Sequence, residues 1–251
     1  MTLAKLFAGA FLCTCMGATF AISAPATGSS RPTVWMFDRL DNIGGLTTHI
    51  EGNPTLIDTA TGKAVKFNGT NDALFIDAHP LAGDNTFTFE VIFRPDGGAA
   101  EQRWFHLASL DPQTGLYSIP NGTKDPNPRM AFELRVVNND SWYLVAFTHG
   151  DGYTASLQAH DKLHPIGSWY DVVQTYDGHM YRSYVNGELQ AEAPIDFKPQ
   201  GPGHTSVGTR MNRVNYFNGA VLEARFTSEP LSPDHFLKVP IALSSKDPAS
   251  K

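Results

Sequence analysis

The clearest pattern of apolar and polar positions lies between Trp169 and Leu189. Two runs rich in Val, Tyr and Thr, Trp169–Tyr176 and Tyr181–Val185, are joined by Asp177-Gly178, and the second ends on Asn186-Gly187. Asp-Gly and Asn-Gly accept the positive φ angles of tight reversals, and β-branched and aromatic side chains suit a pleated, half-buried surface. The stretch therefore predicts an antiparallel hairpin. Similar runs recur at Val34–Asp38, Thr86–Phe93, Trp104–Leu110, Met130–Val137, Trp142–Thr148, Tyr153–Ala159, Thr205–Gly208 and Ala220–Phe226. Ala64–Phe67 and Ala73–Ile76 flank Asn68-Gly69-Thr70-Asn71-Asp72, where the same turn chemistry predicts a second hairpin. No window of about a dozen residues sustains the i, i+3, i+4, i+7 spacing of a helix. About a dozen short strands with Gly, Pro and Asn between them predict an all-β fold of two antiparallel sheets packed face to face.

The start of the chain has a different character. Lys5 supplies a positive charge, Leu6–Ile22 carries none, and Ala21-Ile22-Ser23 and Ala24-Pro25-Ala26 offer small-residue cleavage sites. Residues 1–26 are expected to be a signal peptide and 27–32 a flexible lead, with one domain over 33–239 and a disordered tail over 240–251. A retained anchor needs roughly 20 unbroken apolar residues. Cys13, Thr14, Cys15, Gly17 and Thr19 interrupt this run, so no membrane span is expected in the mature chain. The expected location is secreted or extracytoplasmic, either periplasmic or extracellular. Both cysteines fall in the leader, which removes catalytic thiols, cysteine zinc ligands and disulfides from the domain. A domain of roughly 200 residues buries about 70–75% of its unfolded surface and does not need such staples. A net charge of -6 without a basic run argues against nucleic acid as a partner.

The same residues carry a family resemblance. Trp169–Leu189, W-Y-D-V-V-Q-T-Y-D-G … Y-V-N-G-E-L, resembles the signature hairpin of the laminin-G-like, concanavalin A-like lectin/glucanase jelly rolls. A-V-K-F-N-G-T-N-D-A-L-F-I is similar to that family's F-[DN]-G-x-x-D segment, and F-T-F-E-V-I-F-R-P to its next strand. Y-F-N-G-A-V-L-E-A-R-F-T-S-E-P-L-S is similar to its closing strand. The resemblance implies an antiparallel two-sheet jelly-roll β-sandwich with an outer face free for ligands. It implies no single activity, because that fold hosts lectins, adhesion modules, hydrolases and lyases.

Hydrolases on this fold place paired carboxylates on a strand reading Glu-x-Asp-x-x-Glu. That pattern is absent, and Glu133 has no acidic neighbour at i±2. A polysaccharide lyase is the enzymatic alternative. It needs a cation to neutralise a uronate carboxylate and a His or Tyr to move the proton, and Arg135, His106 and Tyr216 are the candidates. Ala131 stands where the resembling lyase strand carries its first Arg. A cross-strand ion pair accounts for Glu133 and Arg135 without invoking any ligand.

The preferred reading is a non-catalytic module that recognises a glycan or an extracellular protein, so no catalytic residue is assigned. Aromatic platforms and charged groups on a preformed surface hold sugars. Alternation places Trp104 and His106 on one strand face, Glu133 and Arg135 on another, and Arg182 and Tyr184 on a third. Arg210, Asn212, Asn215 and Tyr216 occupy a turn-like insertion before the final strand. The resemblance also raises a structural calcium, to which Asp38 and Gly69 could contribute. Leu222 replaces the family's usual aspartate, and alternation turns Glu223 to the opposite face, so no metal or other cofactor is assigned. His149, His160, His164, His179 and His204 show no ligand spacing.

Overall fold

A computed structural model describes residues 31–117 and 127–244. In chain order the strands are β1 (Thr33–Met36), β2 (Asn42–Ile43), β3 (Leu46–Glu51), β4 (Thr55–Thr59), β5 (Gly62–Asn68) and β6 (Ala73–Ile76). They continue with β7 (Phe87–Pro95), β8 (Glu101–Ser109), β9 (Arg129–Val137), β10 (Ser141–Gly150), β11 (Tyr153–Gln158) and β12 (His164–Pro165). The last are β13 (Tyr170–Tyr176), β14 (Met180–Val185), β15 (Glu188–Pro194), β16 (Gly203–Val207) and β17 (Asn218–Thr227). One sheet runs β15-β14-β13-β7-β17-β5-β4, with β1 also paired to β17. The second runs β11-β10-β9-β8-β16-β6-β3-β2, with β12 paired to β10. The two antiparallel layers make a concanavalin A-like jelly-roll sandwich, the fold class expected from the strand pattern.

Aromatic side chains fill the space between the layers. Trp35, Phe37, Phe67, Phe89, Phe93, Trp104, Phe105, Phe132, Trp142 and Phe217 are all fully buried there. Phe93 stacks on Trp104 with ring centroids 4.2 Å apart, and Phe89 stacks on Phe226 at 5.1 Å. Such offset pairs add to the area burial that holds the layers together.

The hairpin read from Trp169–Leu189 is β13 paired with β14, and Asn186-Gly187 turns the chain on into β15. Asp177 fixes its reversal: one carboxylate oxygen accepts from the backbone N–H groups of His179 and Met180, and the other from Arg182 at 2.5 Å. The Met180 N–H, the Arg182 guanidinium and the His179 N–H together hold this carboxyl at about 2, below its ordinary 3.8. A lowered folded-state pKa gives stability that is present above about pH 4 and lost as the pH falls towards about 2. Wild type therefore melts higher than Asp177→Asn at neutral pH, and the gap closes by about pH 2, as thermal unfolding across that range measures.

The second predicted hairpin is corrected. β5 belongs to the first sheet and β6 to the second, so Asn68–Asp72 carries the chain between layers. Asp72 is buried and its carboxylate accepts the N–H groups of Asn68 and Asn53, while the Asn68 side-chain oxygen accepts those of Thr70 and Asn71. These bonds satisfy the backbone without strand pairing, which frees the two arms to diverge. The strands β2, β3, β4, β12 and β15 lacked an apolar alternation strong enough to mark them; β3 buries only Thr48. The tail expected to be disordered from residue 240 begins with a helical turn, Ile241–Ser244, and Leu243 packs on Ala64, Ile92, Ala220 and Leu222. The signal-like segment lies outside the described residues. Among the described residues no helix is long and apolar enough to cross a membrane.

Candidate functional site

A β-bulge in β8 decides which side chains reach the outer face of the nine-stranded sheet. Arg103 is opposite Glu133 on β9, but the next pair is Phe105 with Phe132, so Trp104 is the extra residue. The insertion shifts the alternation by one, as bulges do. Arg103 and His106 consequently face outward together, and Trp104 turns into the core. Trp104 is 0% exposed and stacks on Phe93, Phe132 and Phe217. It is a packing residue, which corrects its assignment as a sugar platform.

The bulge also provides an anchor. The Trp104 carbonyl accepts the Gly208 N–H at 2.8 Å, and the Gly208 carbonyl accepts the Phe217 N–H at 2.9 Å. Residues 209–216 are thereby closed into a loop beside β8. Gly208 has φ +89°, and a Cβ there would sit 2.4 Å from the Phe67 ring, so only glycine fits this junction. The loop brings Arg210 to the cleft and points the Met211 N–H at His106 Nδ1, 3.2 Å away.

The cleft has a volume of about 90 Å³ and is lined by Arg103, His106, Arg129, Ala131, Glu133, Phe147 and Arg210. Ala131 leaves the gap between the longer side chains of Arg129 and Glu133 on the same strand face. Arg129 lies over the Phe147 ring at 5.0 Å and donates to the Asn127 carbonyl at 2.9 Å. Arg103 bridges Glu101 at 2.5 Å and Glu133 at 3.1 Å, and Arg135 bridges Glu133 at 3.1 Å and Glu101 at 3.5 Å. Glu133 and Arg135 thus pair along one strand, β9, and not across strands as expected; their cross-strand partners are Arg103 and Glu101 on β8, and the four form an internally neutral ladder. Arg129 and Arg210 line the cleft outside this ladder.

Asn127 also lines a larger hollow of about 590 Å³, with Ser109, Leu110, Pro128 and Pro202 among its walls. Arg129 of the cleft thus donates to a residue that lines this hollow. Asp111 lines that hollow too, but one of its oxygens accepts the N–H groups of Gln113 and Thr114 in its own turn.

The other expected site residues are dispersed. Arg182 and Tyr184 lie on β14 in the opposite sheet. Arg182 is held by Asp177 at 2.5 Å and Glu192 at 2.9 Å, and Tyr184 packs edge-on against Phe236 at 5.0 Å. They cannot share a ligand with the cleft, which corrects the grouping. Tyr216 is half-buried in the loop and does not line the cleft, so of the lyase candidates Arg135, His106 and Tyr216 only His106 does so. Sequence reasoning missed Arg103, Arg129 and Phe147. Counting back in twos from Glu133 reaches Arg129, one residue before the run that was read as strand. The bulge hid Arg103.

His106 is 1% exposed, and its hydrogen bond fixes its chemistry. A backbone N–H can only donate, so Nδ1 accepts from Met211, and in the neutral ring the proton sits on Nε2. A general base needs a lone pair facing its substrate. The one lone pair of neutral His106 faces Met211 instead, so this ring is built to donate through Nε2 rather than to abstract a proton.

The residues do not fit a calcium ion. Asp38 holds Arg39 at 3.2 Å on the surface, and Leu222 is packed among Ala64, Ile92 and Ala220. A second bulge, between Val221 and Glu223, makes Leu222 the extra residue. Glu223 therefore lies on the same outer side as Leu222, near Arg225 and Glu90, and not on the opposite face as alternation implied. Among the described residues no three His, Cys, Asp or Glu side chains gather to hold a metal.

Two stacked antiparallel sheets with a charged cleft on one outer face define a jelly-roll domain of the lectin-like kind. The chain belongs to the concanavalin A-like lectin/glucanases superfamily, whose laminin-G-like family matches residues 68–235. Comparison with curated proteins gives no match. Domain 4 of AbnA, a GH43 extracellular arabinanase from Geobacillus stearothermophilus solved with arabinotriose, superposes with a TM-score of 0.58 at 17% identity. That match covers 82% of this chain and 96% of the other. The botulinum neurotoxin serotype D ligand binding domain, solved with N-acetylneuraminic acid, gives a TM-score of 0.53 at 12% identity over 80% of this chain and 48% of the other. The receptor binding domain of the C/D mosaic serotype gives 0.51 at 11% over 81% and 49%. The chain spans about half the length of the toxin domains. At these identities the likeness is one of fold.

Proposed function

We propose that this protein is a glycan-recognition module that takes a carboxylate-bearing sugar residue at the cleft between β8, β9 and the 209–216 loop. The observation that carries the reading is the convergence of Arg103, Arg129, Arg210 and His106 on one outer-face cleft, side chains whose N–H groups suit the oxygens of a carboxylate. A space of about 90 Å³ equals roughly three water volumes, which suits one carboxylate and its neighbouring hydroxyl rather than a whole ring. The adjoining hollow has room for the next residues of a chain. The bound sugars named for the arabinanase domain and for the serotype D toxin domain support carbohydrate as the ligand class. Export through the 1–26 segment, which would bring the module to extracytoplasmic glycans, is part of the same proposal.

A glycan array followed by calorimetry tests it. Uronate-bearing polymers are retained, neutral polymers are not, and Arg129→Ala weakens binding by about 10- to 100-fold, the worth of one charged hydrogen bond. Equal retention of neutral and acidic glycans, or none of either, would sink the reading. The same polymers test the lyase alternative through the absorbance of an unsaturated product. The tautomer of His106 predicts no turnover, and turnover abolished by changing Arg135 or His106 would show catalysis.

A further inference from the structure

The outer face of the eight-stranded sheet carries a second cavity, independent of the cleft on the other sheet. The segment from Pro233 to Ser244 lies across it. Phe236 packs on Tyr184, the Leu237 N–H donates to Glu90 at 2.7 Å, and Arg225 donates to the His235 carbonyl at 2.7 Å. Beneath this strap is a space of about 250 Å³ whose lining includes Asp171, Asn186, Phe236, Leu237, Lys238 and Ser244.

Asp171 is 1% exposed, lines the cavity, and neither of its carboxylate oxygens has a hydrogen-bond partner. The charged groups around it do not supply one. Glu90 on β7 is fully buried and Glu223 on β17 is half-buried; both are acidic. Arg225 on β17 spends its Nε and one terminal nitrogen on Glu90, and that nitrogen also on the His235 carbonyl. Asn186 meets Asp171 through its side-chain oxygen, which accepts the Asp171 backbone N–H at 2.9 Å. β14 contributes Tyr184, and the strap contributes Lys238 at the cavity wall. Three carboxylates thus share this layer with one guanidinium that is already engaged.

A buried carboxylate without donors is costly unless it gains a proton or a cation. A metal ion is not the answer, since no three ligating side chains gather here among the described residues. The apolar walls from Phe236, Leu237 and Val239 suit a short hydrocarbon stem with a charged end. We propose that this cavity binds a primary aliphatic ammonium, with Asp171 as its anion and the strap residues covering its stem. Burial, and then the neighbouring Glu90 charge, pushes the Asp171 carboxyl well up from its usual range. Binding of a cation therefore competes with a proton at Asp171, and affinity rises with pH while the amine itself stays protonated.

The test uses the full chain, n-butylamine as probe and n-butanol as its uncharged counterpart, followed by NMR titration. Butylamine should bind saturably, more tightly at pH 8 than at pH 5, and butanol should not. Asp171→Asn should weaken butylamine binding at least about tenfold. Lys238→Met should bind more tightly than wild type, because it removes a competing cation from the cavity wall. Should Asp171→Asn not fold, Ser244→Trp, which fills the cavity edge, should abolish binding instead. Absence of binding to wild type, or undiminished binding to Asp171→Asn, overturns the proposal. Binding seen only in Lys238→Met also overturns it, by making Lys238 the internal counter-ion of Asp171.

Discussion

Replacing Trp104 by alanine should cost the folded state about 3–5 kcal/mol, the range for removing a large buried aromatic. The residue has no exposed surface, and its ring lies 4.2 Å from Phe93, 5.6 Å from Phe132 and 5.4 Å from Phe217. These partners come from both sheets, so the void would open at the centre of the interlayer space, where collapse is hardest. Trp104→Phe should cost much less, about 1–2 kcal/mol, because it also removes a buried indole N–H that has no hydrogen-bond partner. Denaturant unfolding of both variants measures the difference. A Trp104→Ala protein of unchanged stability and reduced glycan affinity would restore Trp104 to the ligand surface and contradict the bulge.

The second large effect should come from Arg225→Met. Glu90 is fully buried on β7, and the Arg225 side chain meets both its oxygens, at 2.5 and 2.8 Å. Removing the guanidinium leaves Glu90 with the Leu237 N–H but no countercharge, beside Asp171. Breaking such a pair from one side costs about 3–5 kcal/mol. Changing both partners, Glu90→Gln with Arg225→Met, should recover more than half of that loss, since the uncompensated charge goes with the pair. Thermal melts of the two single variants and the double variant form the cycle that checks it. A loss below about 1 kcal/mol for Arg225→Met would mean that water reaches Glu90 and the strap is not closed over it.

The architecture was legible because Gly- and Asn-bearing turns and β-rich runs act locally, and the Asp177-Gly178 reversal is the plainest case. The errors came from places where a single residue changes parity or direction. Period-two counting put Trp104 beside His106 and Glu223 opposite Leu222, and a bulge at each site reversed the outcome. Nothing local in Arg103-Trp104-Phe105 announces the extra residue; it is set by Phe105 and Phe132 meeting in the core. The Asn68–Asp72 turn carried hairpin residues, but the bonds of Asp72 to Asn68 and to the distant Asn53 send its arms to different sheets. His106, Glu133 and Arg210 could be picked out by residue type. That they meet at one cleft, while Arg182 and Tyr184 lie across the sandwich, depends on strand order, which the sequence pattern does not encode.

Strand order has a temporal consequence as well. β17 lies between β7 and β5 in its sheet, although it follows them by more than a hundred residues. Until residue 227 has left the ribosome, those two earlier strands lack the neighbour that joins them, and the backbone edges it pairs stay open. Such distant pairing slows folding and prolongs exposure to aggregation. Completion of this sheet should therefore wait until β17 has been synthesised.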